Sequence, residues 1–365
     1  MQKYLILLFS LCVIFTGCSK RETNTIQIGF AGVQTGADGQ LGTAFYNACQ
    51  LALDEWNERG GVLGKKIEVI SRDDEAKPNQ AVAIAHELAA RKVPIVIGPL
   101  VSGCTLPASP IYEQAGILEM TISTNPQITE QGLHTLFRIN GRDDQQGPVI
   151  AAFAYNKLEK RKVAILHNKT AFGQGFAEEF KKTFESLGGQ ASITGVSGEE
   201  LDFRANVSAI KSEEADAVFW GGAYSQAGPL YNQMRQAGLT IPFLSGDGCF
   251  DQSFIETVGQ NAEGIYLSFG PDMNKTSGGA EFVKKFNTRF GKENPYSVYG
   301  YAAVNVVLQA IQEAKTTDAK QVAAILRSKT FETAMGSVAF DEKGDLKKTN
   351  FIIWTVRNGE FTVLE

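Results

Sequence analysis

A regular alternation of short apolar strands and longer amphipathic helices is the feature that most constrains how this chain can fold. In the first third of the chain, predicted strands at 26–31, 66–71, 93–97 and 117–121 are separated by helical patterns. The same alternation repeats over residues 147–269, and further helices and strands complete the chain. Strands and helices at this spacing predict parallel sheets that are covered by helices on both faces. The sequence therefore predicts an α/β protein whose second half repeats the architecture of the first.

The first 17 residues have the pattern of a secretory signal. Lys3 precedes an apolar run from Tyr4 to Phe15, and two small residues stand directly before Cys18. The apolar run is too short to span a bilayer as the helix of a folded protein. This pattern is typical of a bacterial lipoprotein, in which residues 1–17 are removed and lipid is attached to Cys18. A cleaved signal without lipid is the alternative, because Phe15 replaces the usual leucine.

Composition and cysteine usage indicate a globular protein. The chain has 365 residues, 43% of them apolar and 21% charged, with a formal net charge of −5. This length is enough for two domains, and the mild acidity argues against nucleic acid as a partner. Beyond the signal and Cys18, the cysteines are Cys49, Cys104 and Cys249, without the spacing of a zinc site or a disulfide framework. We expect three small buried side chains, with one chance disulfide as the alternative.

The sequence lacks the common motifs of catalysis, metal binding and nucleotide binding. Its three histidines, His86, His134 and His167, do not have the spacing of a metal site. The glycine-rich segments do not match the spacing of a dinucleotide or phosphate loop, and no nucleophile elbow surrounds Ser102 or Ser123. The sequence therefore predicts a protein that is not an enzyme and needs no metal or cofactor.

Two neighbouring predicted strands end in turns that carry hydroxyl groups. The strand at 93–97 is followed by Ser102, Gly103 and Thr105 at a predicted helix start, and the strand at 117–121 is followed by Ser123 and Thr124. Ligands of open α/β sheets bind at the carboxyl ends of the strands, and free N–H groups at a helix start favour a carboxylate or phosphate. These residues predict an anion site, and two ordinary capped turns are the alternative.

The order of short motifs along the whole chain resembles one known family. Residues 98–126 read Gly-Pro-Leu-Val-Ser-Gly-Cys-Thr, then Pro-Ala-Ser-Pro-Ile-Tyr, Gly-Ile-Leu and Thr-Asn-Pro. Further motifs follow the family's order, namely Asp73-Asp74, Arg138 with Gly147-Pro148, Phe172-Gly-Gln-Gly175, Gly221-Gly222, Gly246-Asp247-Gly248, Tyr301-Ala-Ala303 and Asp341-Glu-Lys-Gly-Asp-Leu346. The ordered set resembles the branched-chain amino-acid-binding proteins of ABC importers, which have the type I periplasmic binding protein fold.

The resemblance implies two Rossmann-like lobes joined by a hinge that the chain crosses three times. The crossings would lie near Asn140, Gly270 and Asp341. The implied domains are a signal peptide at 1–17, a tether at 18–25, lobe 1 at 26–140 plus 271–340, and lobe 2 at 141–270 plus 341–365. The implied function is an exported receptor, lipid-anchored at the cell envelope, that captures a small amino acid between the lobes and delivers it to ABC permease subunits.

The resemblance also implies the roles of the site residues. Ser102 and Thr124 would bind the ligand carboxylate, backbone carbonyls near Ile122 and Ser123 would accept from its ammonium, and Asp247 would be the counter-charge. Four residues would surround the ligand side chain: Phe172, Ala223, Tyr224 and Tyr296. The structural alternatives are a turn role for Asp247 and core roles for the aromatic residues.

Two departures from the leucine-binding relatives concern the ligand side chain. Ala223 stands where those relatives have a tyrosine, with Tyr224 one place later, and Leu41 stands where they have an aromatic residue. A receptor for a non-amino-acid carboxylate, amide or aromatic acid therefore stays open as an alternative. A ligand-sensing module and an extracytoplasmic enzyme on a similar scaffold are the rivals from other classes.

Overall fold

The computed structural model describes residues 24–259, 262, 264–276 and 278–364. The predicted signal sequence and Cys18 lie outside these residues. Two sheets organise the described chain, and both begin with strands that alternate with helices. The predicted α/β alternation is confirmed.

The first sheet consists of parallel strands in the order β2-β1-β3-β4-β5. Its strands are β1 (Thr25–Gly32), β2 (Lys66–Asp73), β3 (Ile95–Ile97), β4 (Leu118–Thr121) and β5 (Leu136–Arg138). The helices between them are α1 (Gly39–Glu58), α2 (Pro78–Ala90), α3 (Ser102–Ala115) and the short α4 (Gln127–Glu130).

The second sheet begins with five strands that are parallel to one another. They are β6 (Lys162–His167), β7 (Gln190–Gly195), β8 (Ala217–Gly221), β9 (Phe243–Ser245) and β10 (Ile265–Phe269). The helices of this part are α5 (Asp143–Asn156), α6 (Ala171–Ser186), α7 (Arg204–Ser212), α8 (Tyr224–Gln236) and α9 (Gln252–Val258), with a 3-10 helix at Asp247–Cys249.

The last part of the chain adds helices to the first sheet and strands to the second. The 3-10 helix Met273–Lys275 precedes α10 (Gly279–Phe290), α11 (Ser297–Ala314) and α12 (Ala319–Ser328). Helix α11 packs against α1 and β4. A hairpin of β11 (Thr330–Thr333) and β12 (Gly336–Ala339) follows, and β13 (Ile352–Arg357) and β14 (Glu360–Val363) then extend the second sheet to the order β14-β13-β10-β9-β8-β6-β7.

Helices cover both faces of each sheet because successive side chains of a strand point to opposite faces. In β3, Ile95 and Ile97 join the apolar cluster beneath α1 and α11, whereas Val96 joins the cluster beneath α2 and α3. In β8, Phe219 packs with α5 and α6, and its neighbour Trp220 belongs to the large apolar cluster that also contains Ile95 and Ile97.

Cys49, Cys104 and Cys249 are buried and free, so the alternative of one disulfide between two of them is wrong.

Several features differ from the sequence prediction. Strands β13 and β14 are antiparallel to their neighbours, which the expected parallel sheets did not include. The short elements α4, β5, β11 and β14 were not predicted, because three or four residues give too little periodicity to detect.

Helix α5 was expected to begin at Gly147, before the helix-disfavouring Pro148, but it begins at Asp143. Arg142 supports this earlier start, because its N–H donates to Gln145 Oε1 at 3.0 Å. Within the described ranges, no helix combines the length and apolarity that a membrane crossing requires.

Candidate ligand-binding site

The turn between β3 and α3 brings Ser102 to the carboxyl edge of the first sheet. Gly98 makes this turn possible, because it has a φ of +105° and an added Cβ would stand 1.8 Å from the carbonyl oxygen of Ala31. Ser102 is buried, and its Oγ accepts from the N–H of Asn125 at 3.3 Å. As the first residues of a helix, Ser102 and Gly103 have N–H groups without an intrahelical acceptor.

A chain of hydroxyl groups connects this helix start with the turn after β4. Thr105 Oγ1 and Ser123 Oγ are 2.7 Å apart, and the N–H of Ser123 donates to Thr121 Oγ1 at 3.0 Å. Thr121 Oγ1 in turn donates to the carbonyl of Pro99 at 2.6 Å. Strands β3 and β4 are parallel neighbours, so both turns lie at the same edge. The structure thus brings Ser102, Ser123 and Thr124 together, in the arrangement that the sequence predicts.

The two carbonyls that were predicted to face an ammonium already accept hydrogen bonds. Ile122 O accepts from Asn140 Nδ2 at 3.2 Å, and Ser123 O accepts from Arg138 Nη1 at 2.9 Å. A carbonyl oxygen has two lone pairs, so each can accept a second bond.

Arg138 holds the turn after β4 in place by donating hydrogen bonds to its backbone carbonyls. It is fully buried, and its Nη1 also donates to Asn125 O at 2.9 Å, while Nη2 donates to Thr129 Oγ1 at 2.7 Å. Its Nε donates to Asp345 Oδ1 at 2.8 Å. Burial would raise the pKa of Asp345, but the charges and hydrogen bonds of Arg138 and Arg142 outweigh it, and the pKa lies below its usual value. The Arg138 motif is visible in the sequence, but its role is not.

Asp247 follows β9 at the carboxyl edge of the second sheet. The side chain is buried, and within the described part of the chain its Oδ1 has no hydrogen-bond partner. Burial raises the pKa of Asp247 to about 6, against the opposing influence of Gln146 and Tyr296. The flanking glycines allow close packing, because a Cβ at Gly248 would stand 2.6 Å from Gly222 O and 2.7 Å from the ring of Phe172.

Asp143, which sequence analysis missed, joins the two edges. It begins α5, its N–H donates to Thr124 O at 2.9 Å, and its side chain is fully buried. Burial raises the pKa of Asp143 well above its usual value, and the nearby charge of Asp247 adds to the increase. An acidic residue at a helix start is common because of the helix dipole, so nothing in the sequence distinguishes Asp143 from an ordinary helix start.

The predicted side-chain residues lie around Asp247 and at the start of α8. Phe172 stacks on Phe176 with ring centroids 5.8 Å apart, and buried Tyr296 approaches Asp247 closely enough to affect its pKa. Ala223 directly precedes α8, and its carbonyl accepts from Trp220 Nε1 at 3.1 Å. Tyr224 is buried, and its OH donates to Ala37 O at 3.2 Å.

Two further hydrogen bonds join the segments that carry the two edges. Besides the bond from Tyr224 to Ala37, Asn125 Nδ2 donates to Ala171 O at 2.7 Å, directly beside Phe172. The hydroxyl-bearing turns of the first sheet and the Asp247 region of the second sheet therefore face one another. In the same described residues, no cluster of His, Cys, Asp and Glu side chains is arranged to hold a metal ion.

The paired edges and their buried carboxylates suit the binding of a small solute, and the comparisons agree. The chain belongs to the periplasmic binding protein family, whose model matches residues 25–360. It is 37% identical to the Leu/Ile/Val-binding protein homolog 1 of Brucella suis over 337 residues, which are 92% of this chain and 91% of the relative. The predicted type I periplasmic binding protein fold and the resemblance to this family are confirmed.

Solved structures give the same result. A leucine-binding protein from Thermotoga maritima has a TM-score of 0.88 and 28% identity, covering 93% of this chain and 98% of that one. A branched-chain amino acid transporter substrate-binding protein from Streptococcus pneumoniae, solved with isoleucine, has a TM-score of 0.84 and 28% identity, covering 92% and 97%. A solute-binding protein from Rhodopseudomonas palustris, solved with 3,4-dihydroxybenzoic acid, has a TM-score of 0.81 and 26% identity, covering 93% and 95%.

Proposed function

We propose that this protein is the exported solute receptor of an ABC importer and that it captures a small amino acid with a branched-chain, other hydrophobic or aromatic side chain. The observation that carries the proposal is the buried carboxylate of Asp247, whose Oδ1 has no partner among the described residues. It lies opposite turns rich in hydroxyl and N–H donors. An α-amino acid has both charges on one carbon, so its receptor needs a donor cluster and a carboxylate close together.

In this proposal each end of the ligand backbone has its own partners. The ligand carboxylate accepts from the hydroxyl and N–H groups of Ser102 and Thr124. The ammonium donates to Asp247 and to the second lone pairs of Ile122 O and Ser123 O. The isoleucine in the Streptococcus pneumoniae structure and the name of the Brucella suis relative support this class of ligand.

The ligand side chain is proposed to lie among Phe172, Ala223, Tyr224 and Tyr296. Tyr224 is held by its bond to Ala37, so its ring has a fixed orientation. Leu41 is half-buried on α1 and packs against the large core cluster. Small or aliphatic residues at Ala223 and Leu41 leave more room than aromatic ones, and this favours a side chain of different shape from leucine.

Binding is proposed to close a hinge between two lobes. Lobe 1 comprises 26–140 and 271–340, and lobe 2 comprises 141–270 and 341–365. The bonds from Asn125 to Ala171 and from Tyr224 to Ala37 support a closed arrangement, because each joins the two proposed lobes. A zwitterion that bridges both lobes stabilises this closed form.

The pattern of the amino-terminal segment supports export and membrane attachment. In this proposal residues 1–17 are removed, Cys18 carries lipid and residues 18–25 tether the receptor at the cell envelope. The closed receptor then delivers its ligand to the permease subunits, and it acts as a receptor rather than an enzyme.

A receptor for a plain carboxylate, an amide or an aromatic acid is the second candidate within the class. The Rhodopseudomonas palustris structure with 3,4-dihydroxybenzoic acid supports it. Such a ligand has no ammonium and leaves Asp247 Oδ1 without a partner among the described residues, so this oxygen favours an amino acid. A ligand-sensing module would use the same site and would be distinguished by the absence of transport.

Calorimetry with the common amino acids and with 3,4-dihydroxybenzoate tests the proposal. We expect an apolar amino acid to bind and the plain acid not to bind. Asp247→Asn removes a charge-assisted bond of about 1.5–3 kcal/mol, which corresponds to a roughly tenfold to hundredfold weaker affinity. Ser102→Ala should weaken the binding of every ligand that has a carboxylate. If wild type binds no amino acid, or if Asp247→Asn binds as tightly as wild type, the second candidate replaces the first.

A further inference from the structure

Asp143 has a buried carboxylate, and among residues 24–259, 262, 264–276 and 278–364 neither of its oxygens has a hydrogen-bond partner of ordinary distance and angle. The Thr124 side chain nevertheless lies close enough to lower the pKa of Asp143. Buried polar groups in folded proteins are nearly always satisfied, so this carboxylate is a candidate for binding a ligand group.

The surroundings of Asp143 locate it in the candidate site. Its own N–H donates to Thr124 O at 2.9 Å, and Thr124 is one of the two proposed carboxylate binders. Asp247 lies near enough for its charge to act on Asp143. One helical turn later, Gln146 approaches Gly246, where an added Cβ would stand 2.6 Å from its Nε2. The first turn of α5 thus lies between the turn that holds Thr124 and the turn that holds Asp247.

Arg138 is the cation of the described residues that lowers the pKa of Asp143, and it already bonds Asp345, Thr129 and two carbonyl oxygens. Two ionised carboxylates close together repel one another, so a cation between them favours the ionised form of both. A primary ammonium has one positive charge and three N–H donors, enough for two carboxylates and one carbonyl.

We propose that Asp143 is a second acceptor for the ligand's ammonium, so that Asp143 and Asp247 together receive it and select amino acids against acids of the same shape that lack it. The inference rests on the proposed function and deepens it. Asp143 supplies part of the specificity for the ammonium, and a carboxylic acid without an ammonium leaves both buried carboxylates uncompensated.

A structural role for Asp143 makes a different prediction. An acidic residue in the first turn of α5 would stabilise the helix through its dipole, and it would then affect folding but not the choice of ligand. Asp144 is the matched control. It is the next residue of the same turn, and its carboxylate pairs with Arg142 at 2.6 Å, outside the candidate site.

Calorimetry separates the two roles by comparing L-leucine, L-isoleucine and L-phenylalanine with the matched acids that lack the ammonium, namely 4-methylpentanoate, 3-methylpentanoate and 3-phenylpropanoate. For the amino acid that binds wild type most tightly, Asp143→Asn should weaken binding about tenfold or more, whereas Asp144→Asn should leave it within about threefold. The preference of wild type for this amino acid over its matched acid should decrease in Asp143→Asn. The inference is overturned if Asp143→Asn keeps wild-type amino-acid affinity, or if it weakens the amino acid and its matched acid equally.

A second measurement uses wild type alone and does not depend on a variant that folds. Asp143 and Asp247 each have a raised pKa, so binding an ammonium should displace protons from them, more at pH 6 than at pH 8. Calorimetry in buffers of different ionisation enthalpy measures the number of protons released. The other polar and ionisable groups that act on the pair are Thr124, Arg138, Asp144, Gln146 and Tyr296. Equal proton release at both pH values would count against the pair. If wild type binds 4-methylpentanoate but none of the amino acids, the proposed function itself fails, which is a different result.

Discussion

Asp247→Asn should make the ligand-free protein more stable at neutral pH, although it weakens ligand binding. Burial raises the pKa of Asp247 to about 6, and the hydrogen bonds of Gln146 and Tyr296 only partly oppose this. In the unfolded chain the same carboxylate has its ordinary pKa of 3.8. At pH 7 the group is therefore ionised in both states but is desolvated only in the native state, and that desolvation destabilises the fold.

The size of the effect follows from the two pKa values. A difference of about two units corresponds to about 3 kcal/mol, at roughly 1.4 kcal/mol per unit. The native state binds more protons than the unfolded state between about pH 4 and pH 6, so the free energy of unfolding decreases as the pH rises through this range. Asparagine does not ionise. The stability gained by Asp247→Asn should therefore be largest above pH 6 and should disappear near pH 4.

Urea unfolding of ligand-free protein at pH 4, 6 and 8 measures this gain. Unfolding and dialysis before refolding remove any amino acid that copurifies. Asp345→Asn is the control with the opposite sign, because the pKa of Asp345 is lowered and its ionised form stabilises the fold. If Asp247→Asn is no more stable than wild type at pH 8, or if its gain is the same at pH 4, the desolvated carboxylate is not a source of instability.

Three other perturbations test other parts of the structure. Asp345→Asn leaves Arg138 buried without its carboxylate and should lower the free energy of unfolding by about 3–5 kcal/mol at pH 7. The loss should shrink as the pH falls below 3.8, where the carboxylate of the unfolded chain takes up a proton, and should disappear only below the lowered native pKa of Asp345; denaturant midpoints within error of wild type would contradict this. A saturating amino acid should reduce the radius of gyration in X-ray scattering, because closure pairs groups that the open form exposes; an unchanged radius would argue against the hinge. Cys18→Ala, expressed in a bacterial host, should move the protein from the membrane fraction to the soluble envelope fraction; complete retention in the membrane would contradict the lipid anchor.

Local sequence patterns were enough to predict the two edges of the candidate site. The apolar segment before Gly98 and the small residues from Ser102 to Thr105 determine a strand, a turn and a helix without help from distant residues. The proposed role of Asp247 comes from the resemblance, because a place between two glycines suits an ordinary turn aspartate equally well.

The parts that could not be predicted depend on contacts between distant segments. Asp143 has the composition of an ordinary helix start, and its importance appears only when α5 is placed between Thr124 and Asp247. Arg138 is one arginine in a short strand, and its role depends on Asp345, which is 207 positions away in the chain. Strand β13 has an apolar pattern that suits either orientation, so its antiparallel pairing with β10 depends on the path of the chain before it.

The bond between Arg138 and Asp345 also determines when the ligand site can form during biosynthesis. The side chain of Arg138 bonds the turn after β4, and the carboxylate of Asp345 bonds Arg138 in turn. The backbone N–H of Arg138 also donates to Gly344 O at 2.8 Å. All of the residues that contact the ligand in the proposed site precede Gly344 and Asp345 by more than forty positions. A nascent chain can thus contain every ligand-binding residue and still lack the support that shapes their turn. The turn after β4 therefore gains this support only after the segment that contains Asp345 has been synthesised.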